Sequence, residues 1–188
     1  MNTPNKLTVL RMFLAPVFLA IFLARGLPYH YWWAVLVFSV AAITDAVDGK
    51  LARKNDQITV FGKLLDPVAD KMLTTAALLG FMQVGLCNIW IVMIVLTREF
   101  AVTSVRLIAS AEGVVIPANI WGKLKTVSQM TFTILIMVLA AVRELGVLPG
   151  SFPLADFSNI FLWITAALTV ISGVIYLMQS TKIITFTK

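Results

Sequence analysis

The sequence predicts an all-α integral membrane protein of six transmembrane helices, with residues 1–188 forming one domain. Three observations predict it. Of the 188 residues, 60% are hydrophobic and 13% charged, where a soluble domain carries roughly 25% charged residues. Mean hydropathy is +0.93, so much of the surface faces lipid. Apolar stretches of about the 20 residues that cross a bilayer recur along the chain, and breaker residues divide them.

The first helix covers residues 6–24. It is short enough for a signal peptide, but Arg25-Gly26-Leu27-Pro28 follows where a small-residue cleavage site would stand, so it reads as a retained span. Residues 26–29 form a turn broken by Pro28. The second helix runs from Tyr31 past Asp48 toward Arg53. Residues 72–97 are 26 positions without a charge, too many for one span and too few for two. A break at residues 84–88 resolves this if both helices extend into charged sequence, the third through residues 62–71 and the fourth through 98–106. Gly113 to Pro117 breaks the chain again. The fifth helix covers 120–142, residues 145–156 form a loop rich in Gly and Pro, and the sixth helix covers 157–179.

Six spans leave both termini on one side. That side collects Lys6, Arg11, Lys50, Arg53, Lys54, Lys63, Lys71, Arg106, Lys123, Lys125, Lys182 and Lys188, against Arg25 and Arg143 on the other. The positive-inside rule then places the termini and residues 54–61 in the cytoplasm, with the protein in the cytoplasmic membrane. The net charge of +6 is an orientation signal and an attraction for anionic lipid headgroups. No basic soluble domain exists to bind nucleic acid. The single cysteine, Cys87, excludes an intrachain disulfide, and the single histidine, His30, placed in the external loop, excludes a Cys/His metal cluster or a Ser-His nucleophile pair. The five tryptophans fall mostly near helix ends, as interfacial aromatics do. Glu112, Glu144 and Asp156 read as solvated loop charges.

Four of the nine acidic residues lie within 26 positions: Asp45, Asp48, Asp66 and Asp70. The first pair is spaced i, i+3 on the second helix and the second pair i, i+4 on the third, so each pair shares a helix face within about one turn. A short connection makes those helices antiparallel neighbours, bringing four carboxylates together at the cytoplasmic boundary. Buried without counter-charge they would be strongly unfavourable. Divalent cations neutralise them, and oxygen-only ligands favour Mg²⁺, Mn²⁺ or Ca²⁺. Such ions are usually shared with substrate phosphates, which points to phosphoryl chemistry. The bland alternative pairs the aspartates with Lys50, Arg53, Lys63 and Lys71, or makes Asp66 an N-cap before a first-turn Pro67; it accounts for single residues but not for four together. A cation channel or transporter is the rival from another class. It is opposed by the clustering of the acids at one face and by Arg53, Arg98 and Arg106.

Asp45-x-x-Asp48-Gly49-x-x-Ala52-Arg53, eight residues, then Gly62-x-x-x-Asp66-x-x-x-Asp70 resembles the signature of the CDP-alcohol phosphotransferase family at all eight fixed positions. The resemblance implies that family's six-helix membrane fold over essentially the whole chain. It further implies two Mg²⁺ (or Mn²⁺) ions on Asp45, Asp48, Asp66 and Asp70, with Asp70 also the general base. The CDP pocket would be lined by Asp45, Gly49, Ala52, Arg53 and Gly62. Pro4-Asn5-x-x-Thr8-x-x-Arg11 is a further family-like feature, placing Asn5 and Thr8 near the nucleotide. A homodimer is implied as well.

The second half carries charges that a metal site does not require. Arg98 and Arg106 lie two turns apart on the fourth helix, and Lys123 and Lys125 open the fifth. An arginine inside a span marks a functional site by default, and these four cations suit an acceptor phosphate. The bland alternative makes Arg98 the partner of an acidic neighbour and the lysines membrane anchors. Thr97-Arg98-Glu99-Phe100, Arg106 and Gly122-Lys123-Leu124-Lys125-Thr126 resemble the branch that joins CDP-diacylglycerol to sn-glycerol 3-phosphate and releases CMP. Sister branches that make cardiolipin, phosphatidylinositol phosphate or phosphatidylserine are the alternatives.

Overall fold

In the computed structural model the described residues are 3–54, 60–111, 113 and 119–181, with side chains described for 6–44, 68, 69, 71–111, 113 and 119–181. They form six helices: α1 (Thr3–Leu23), α2 (His30–Lys54), α3 (Val60–Gln83), α4 (Ile89–Ala111), α5 (Ile120–Glu144) and α6 (Leu154–Ser180). Among the described residues, α1, α5 and α6 are long and apolar enough to cross a membrane by length and composition, and residues 30–44 of α2 form a shorter apolar stretch. The charges inside α4, at Arg98, Glu99 and Arg106, keep it off that count.

The breaks fall where glycine was expected to make them. Gly85 and Gly146 each stand two residues beyond a helix end with φ of +79° and +73°, a left-handed conformation that costs glycine nothing. The amide of Leu86 then donates back to the carbonyl of Phe81 at 2.8 Å, and that of Val147 to Val142 at 3.3 Å. This six-to-one closure satisfies carbonyls that the helix leaves unpaired. Two elements differ from expectation. Helix α6 begins at Leu154, so Asp156 sits in its first turn rather than in a loop, where a carboxylate favours the positive end of the helix dipole. Helix α3 begins at Val60, so Asp66 and Pro67 lie inside it and the N-cap account of Asp66 does not hold.

Helix α1 packs against both α2 and α3, α6 packs against both α4 and α5, and contacts of α2 with α5 and of α3 with α4 join the two groups. Short connections make consecutive helices antiparallel. The N-terminal ends of α1, α3 and α5 and the C-terminal ends of α2, α4 and α6 therefore share one end of the bundle. The stripe Thr8, Arg11, Ala15, Phe18 and Phe22 faces inward along α1, a 3.5-residue repeat suited to two helix neighbours. Phe18 and Phe22 meet Phe38 and Phe81 edge-on, with ring centroids 5.5 Å apart in both pairs. Gly80 lets α3 come close, since a Cβ there would lie 2.9 Å from Cδ1 of Phe22.

Two expected loop groups are structural. His30 is buried, its Nδ1 2.9 Å from the Phe22 carbonyl oxygen. Glu144, expected as a solvated charge, accepts the backbone amides of His30 (3.2 Å) and Tyr31 (3.3 Å). It thus caps α2 from the end of α5, satisfying two of the free N–H groups that open any helix. Glu112 lies outside the described residues.

Candidate active site

The helical backbone carries Asp45 and Asp48 on α2 and Asp66 and Asp70 on α3, on the segments that flank residues 55–59. The side chains of these four aspartates, and of Asn5, Gly49, Ala52, Arg53 and Gly62, lie outside the described residues. The i, i+3 and i, i+4 spacings are therefore realised on helices, and each pair shares a face. Thr8 and Arg11 are buried on the inward stripe of α1, between α2 and α3 and at the same end of the bundle. Both are engaged in polar interactions.

Beside this end lies a cavity of about 520 Å³ bordered by α3, α4, α5 and α6. Lys71, Arg98, Arg106 and Lys123 bring four cations to it, with Glu99 the carboxylate among them. Lys71 directly follows Asp70, so the cavity abuts the carboxylate-bearing turn of α3. On α4, positions 98, 99, 102, 103 and 106 border the cavity, as one helix face recurring every three to four residues must. On α5, Asn119, Gly122, Lys123 and Thr126 do so. Asn119 also caps α5, its side chain accepting the amide of Trp121 at 3.2 Å.

Lys125 is placed differently from Lys123. Residues two apart point to nearly opposite sides of a helix, and Lys125 turns inward from the cavity, 4% exposed. Its ammonium meets the Glu99 carboxylate, which also accepts from Arg98 Nη1 at 3.1 Å. Glu99 thus serves as counter-ion to both cations, the condition for burying charge at tolerable cost.

Arg98 reaches the cavity through space that Gly173 leaves. A Cβ on Gly173 of α6 would lie 2.9 Å from Arg98 Cγ, and one on Gly122 of α5 would lie 3.9 Å from Nη2. The stem of Arg98 therefore runs across α6 and its guanidinium ends against α5. The sequence reading gave no role to Gly173, Ser172 or Tyr176. All three lie on the inward face of α6, a row of small and hydroxyl residues that could have been read as a close-packing face.

A second cavity, about 600 Å³, lies among α1, α3 and α4 and is apolar, bordered by Ala15, Leu19, Met72, Leu79, Leu96 and Phe100 among others. Lys71 and Thr103 border both cavities. The apolar groove and the cationic chamber therefore meet at the turn after Asp70.

The cationic chamber and the apolar groove thus share an edge at Lys71 and Thr103, one residue from the helical backbone of Asp70. The family model described as CDP-alcohol phosphatidyltransferase matches residues 1–171, and the chain belongs to that family. It is 39% identical over 183 residues to the CDP-diacylglycerol–glycerol-3-phosphate 3-phosphatidyltransferase of Bacillus subtilis (strain 168), covering 92% of this chain and 91% of the relative. It is 40% identical over 187 residues to a probable phosphatidylglycerophosphate synthase of Mycobacterium tuberculosis (strain ATCC 25618 / H37Rv), covering 96% of this chain and 82% of that one. A protein of Rickettsia typhi bearing the same name as the Bacillus relative is 35% identical over 180 residues, covering 93% and 94%.

Proposed function

We propose that this membrane enzyme transfers the phosphatidyl group of CDP-diacylglycerol to sn-glycerol 3-phosphate, yielding phosphatidylglycerophosphate and CMP. The observation that carries the reading is the chamber in which Lys71, Arg98, Arg106 and Lys123 stand beside the turn of Asp70. A phosphorylated acceptor needs such cations, and an unphosphorylated one such as serine does not. The names of the relatives support the same substrates.

The parts divide the work. The apolar groove takes an acyl chain of the donor, keeping its headgroup at the shared edge near Lys71 and Thr103. The cations hold the acceptor phosphate, so that its hydroxyl is oriented rather than free to tumble. Asp70 accepts the hydroxyl proton as the oxygen attacks the phosphorus that bears diacylglycerol. That new P–O bond replaces the bond to the CMP phosphate, and CMP leaves with the electron pair. The step is direct, without a covalent enzyme intermediate. Asp45, Asp48, Asp66 and Asp70 would hold two Mg²⁺ or Mn²⁺ ions. The all-oxygen donor set suits those ions, and the helical spacing of each pair allows its two carboxylates to converge. When bound, the ions supply positive charge to the pyrophosphate. Asn5, Thr8, Gly49, Ala52, Arg53 and Gly62 would line the nucleotide pocket. The site and both termini face the cytoplasm of a homodimer in the cytoplasmic membrane, with all six helices spanning it.

The test is CMP release from detergent-solubilised protein given CDP-diacylglycerol and Mg²⁺, with glycerol 3-phosphate, inositol phosphate, serine and phosphatidylglycerol supplied separately. Release with glycerol 3-phosphate alone, abolished by EDTA, is the expected result. Release with another acceptor keeps the family and overturns the acceptor.

A further inference from the structure

The chamber contains a hydroxyl that the reading above does not use. Tyr176 of α6 borders it and is 3% exposed, yet its phenolic oxygen has no hydrogen-bond partner among the described residues. Leaving such a group sealed from water and unpaired is unfavourable, so a buried hydroxyl without a partner calls for a reason. Two other hydroxyls that border the chamber do not direct their protons to it. Ser172, one turn earlier, gives its proton to the Thr169 carbonyl at 3.0 Å. Thr126 across the chamber gives its own to the Gly122 carbonyl at 3.0 Å. Arg98 Nε, on the same chamber, is likewise buried without a partner. Thr133 Oγ1 is another such atom, and Thr133 borders neither of the cavities described above. Two unused donors, one neutral and one cationic, thus belong to residues that border one chamber.

The ring is held so that the hydroxyl has little freedom. Tyr176 packs with Val102 and Ala109 of α4, and Val105 packs against that cluster. With the ring so packed, a hydrogen bond from the hydroxyl would cost little ordering entropy. Tyr176 also lies beyond residues 1–171, the stretch that the family model matches.

We propose that the Tyr176 hydroxyl is a specificity-determining contact for the acceptor, donating a hydrogen bond to a phosphate oxygen of the small phosphate monoester held by Arg98. This rests on the chamber being the acceptor's, as proposed above. A phenol and a guanidinium edge together read a phosphate by direction as well as charge, which lysines alone do not.

Tyr176→Phe tests this, since it keeps the packed ring and removes the oxygen. KM for glycerol 3-phosphate should rise about ten- to a hundredfold, the worth of a hydrogen bond to a charged group. KM for CDP-diacylglycerol should not change. The melting temperature should hold or rise, because a buried unpaired hydroxyl has been removed. An unchanged acceptor KM in an active variant overturns the proposal. So does a rise confined to the donor KM, which would give the hydroxyl to the pyrophosphate. A fall in melting temperature with unchanged kinetics overturns it too, as the sign of an internal partner. If the variant does not turn over, the shift in melting temperature caused by glycerol 3-phosphate decides: its loss supports the contact and its full retention overturns it. A wild-type protein that releases no CMP with glycerol 3-phosphate overturns the functional reading itself, a result visible before any variant is made.

Discussion

The two halves of the bundle are packed by different rules. In the first, α1 meets α2 and α3 through large rings, with Phe18, Phe22, Phe38 and Phe81 all fully buried. In the second, α6 meets α4 and α5 through Thr165, Ala166, Thr169, Ser172 and Gly173. The hydroxyls of Thr165, Thr169 and Ser172 donate to carbonyls of their own helix, which lets small polar residues sit inside an apolar bundle. Ring packing closes the space about Phe22, although α1 and α3 also border the apolar cavity of about 600 Å³. Small-residue packing leaves room for long cationic side chains, and the chamber lies there. The first half is cohesive around its rings; the second gives up packed volume to a chamber bordered by Arg98, Arg106 and Lys123.

The largest expected effect breaks the chemistry and spares both kinds of packing. Asp70→Asn keeps the size of the side chain and removes its basicity. CMP release should fall about 10²- to 10⁴-fold, the usual worth of a positioned base, with binding of CDP-diacylglycerol retained. Unchanged turnover would remove the base assignment. Next in size is the chamber. Arg98→Ala should raise the acceptor KM by roughly ten- to a hundredfold, the range for a lost charge-assisted hydrogen bond, with kcat less affected. Lys125→Ala should differ in kind, because Lys125 neutralises Glu99 instead of bordering the chamber. It removes the ammonium that meets Glu99, so stability should fall along with acceptor affinity. Lys125→Ala that raises acceptor KM at full stability would place Lys125 in the chamber after all.

The same contrast can be sharpened from the packing side. Gly80→Ala forces a methyl to 2.9 Å from the Phe22 ring. That ring is held by Phe18, Tyr31 and Phe81 and has nowhere to move. Overpacking of this kind costs about 1–3 kcal/mol, so thermal unfolding should shift down while the acceptor KM stays put. A rise in acceptor KM equal to that of Arg98→Ala would show that the two halves are not separable.

How much of this was legible beforehand follows from periodicity. Six helices and their breaks could be read because apolar runs and glycines act locally: Gly85, Gly113 and Gly146 all adopt the positive φ that ends a helix. Of the four cations expected to hold an acceptor phosphate, Arg98, Arg106 and Lys123 border one chamber. Nearness in sequence pairs Lys125 with Lys123, although a separation of two places residues on opposite helix faces. Tyr176 and Gly173 went unnoticed because nothing local distinguishes them. Their importance comes from α4, some seventy residues away, whose Arg98 and Val102 they meet. Lys71 reads in the sequence as an orientation charge, yet it borders both the chamber and the apolar groove.

Glu144 makes the same point at the opposite end of the bundle and carries the smallest expected effect. As a loop charge it would be replaceable at no cost. As the acceptor of the His30 and Tyr31 amides, it is a helix cap supplied by another helix. Glu144→Gln keeps one acceptor oxygen and turns an NH₂ toward an amide donor. One bond is lost, worth about 1 kcal/mol, and in a chain of this size that is a fall of roughly 2–4 °C in melting temperature. Glu144→Ala should lose about twice as much, since both amides are then unpaired. Neither variant should alter the acceptor KM, because the chamber draws on the ends of α4, α5 and α6 that point away from this cap. Full stability in Glu144→Ala would return the residue to solvent. A change in acceptor KM would mean instead that the tilt of α2 against α5, which the cap helps to set, is felt along the length of the bundle.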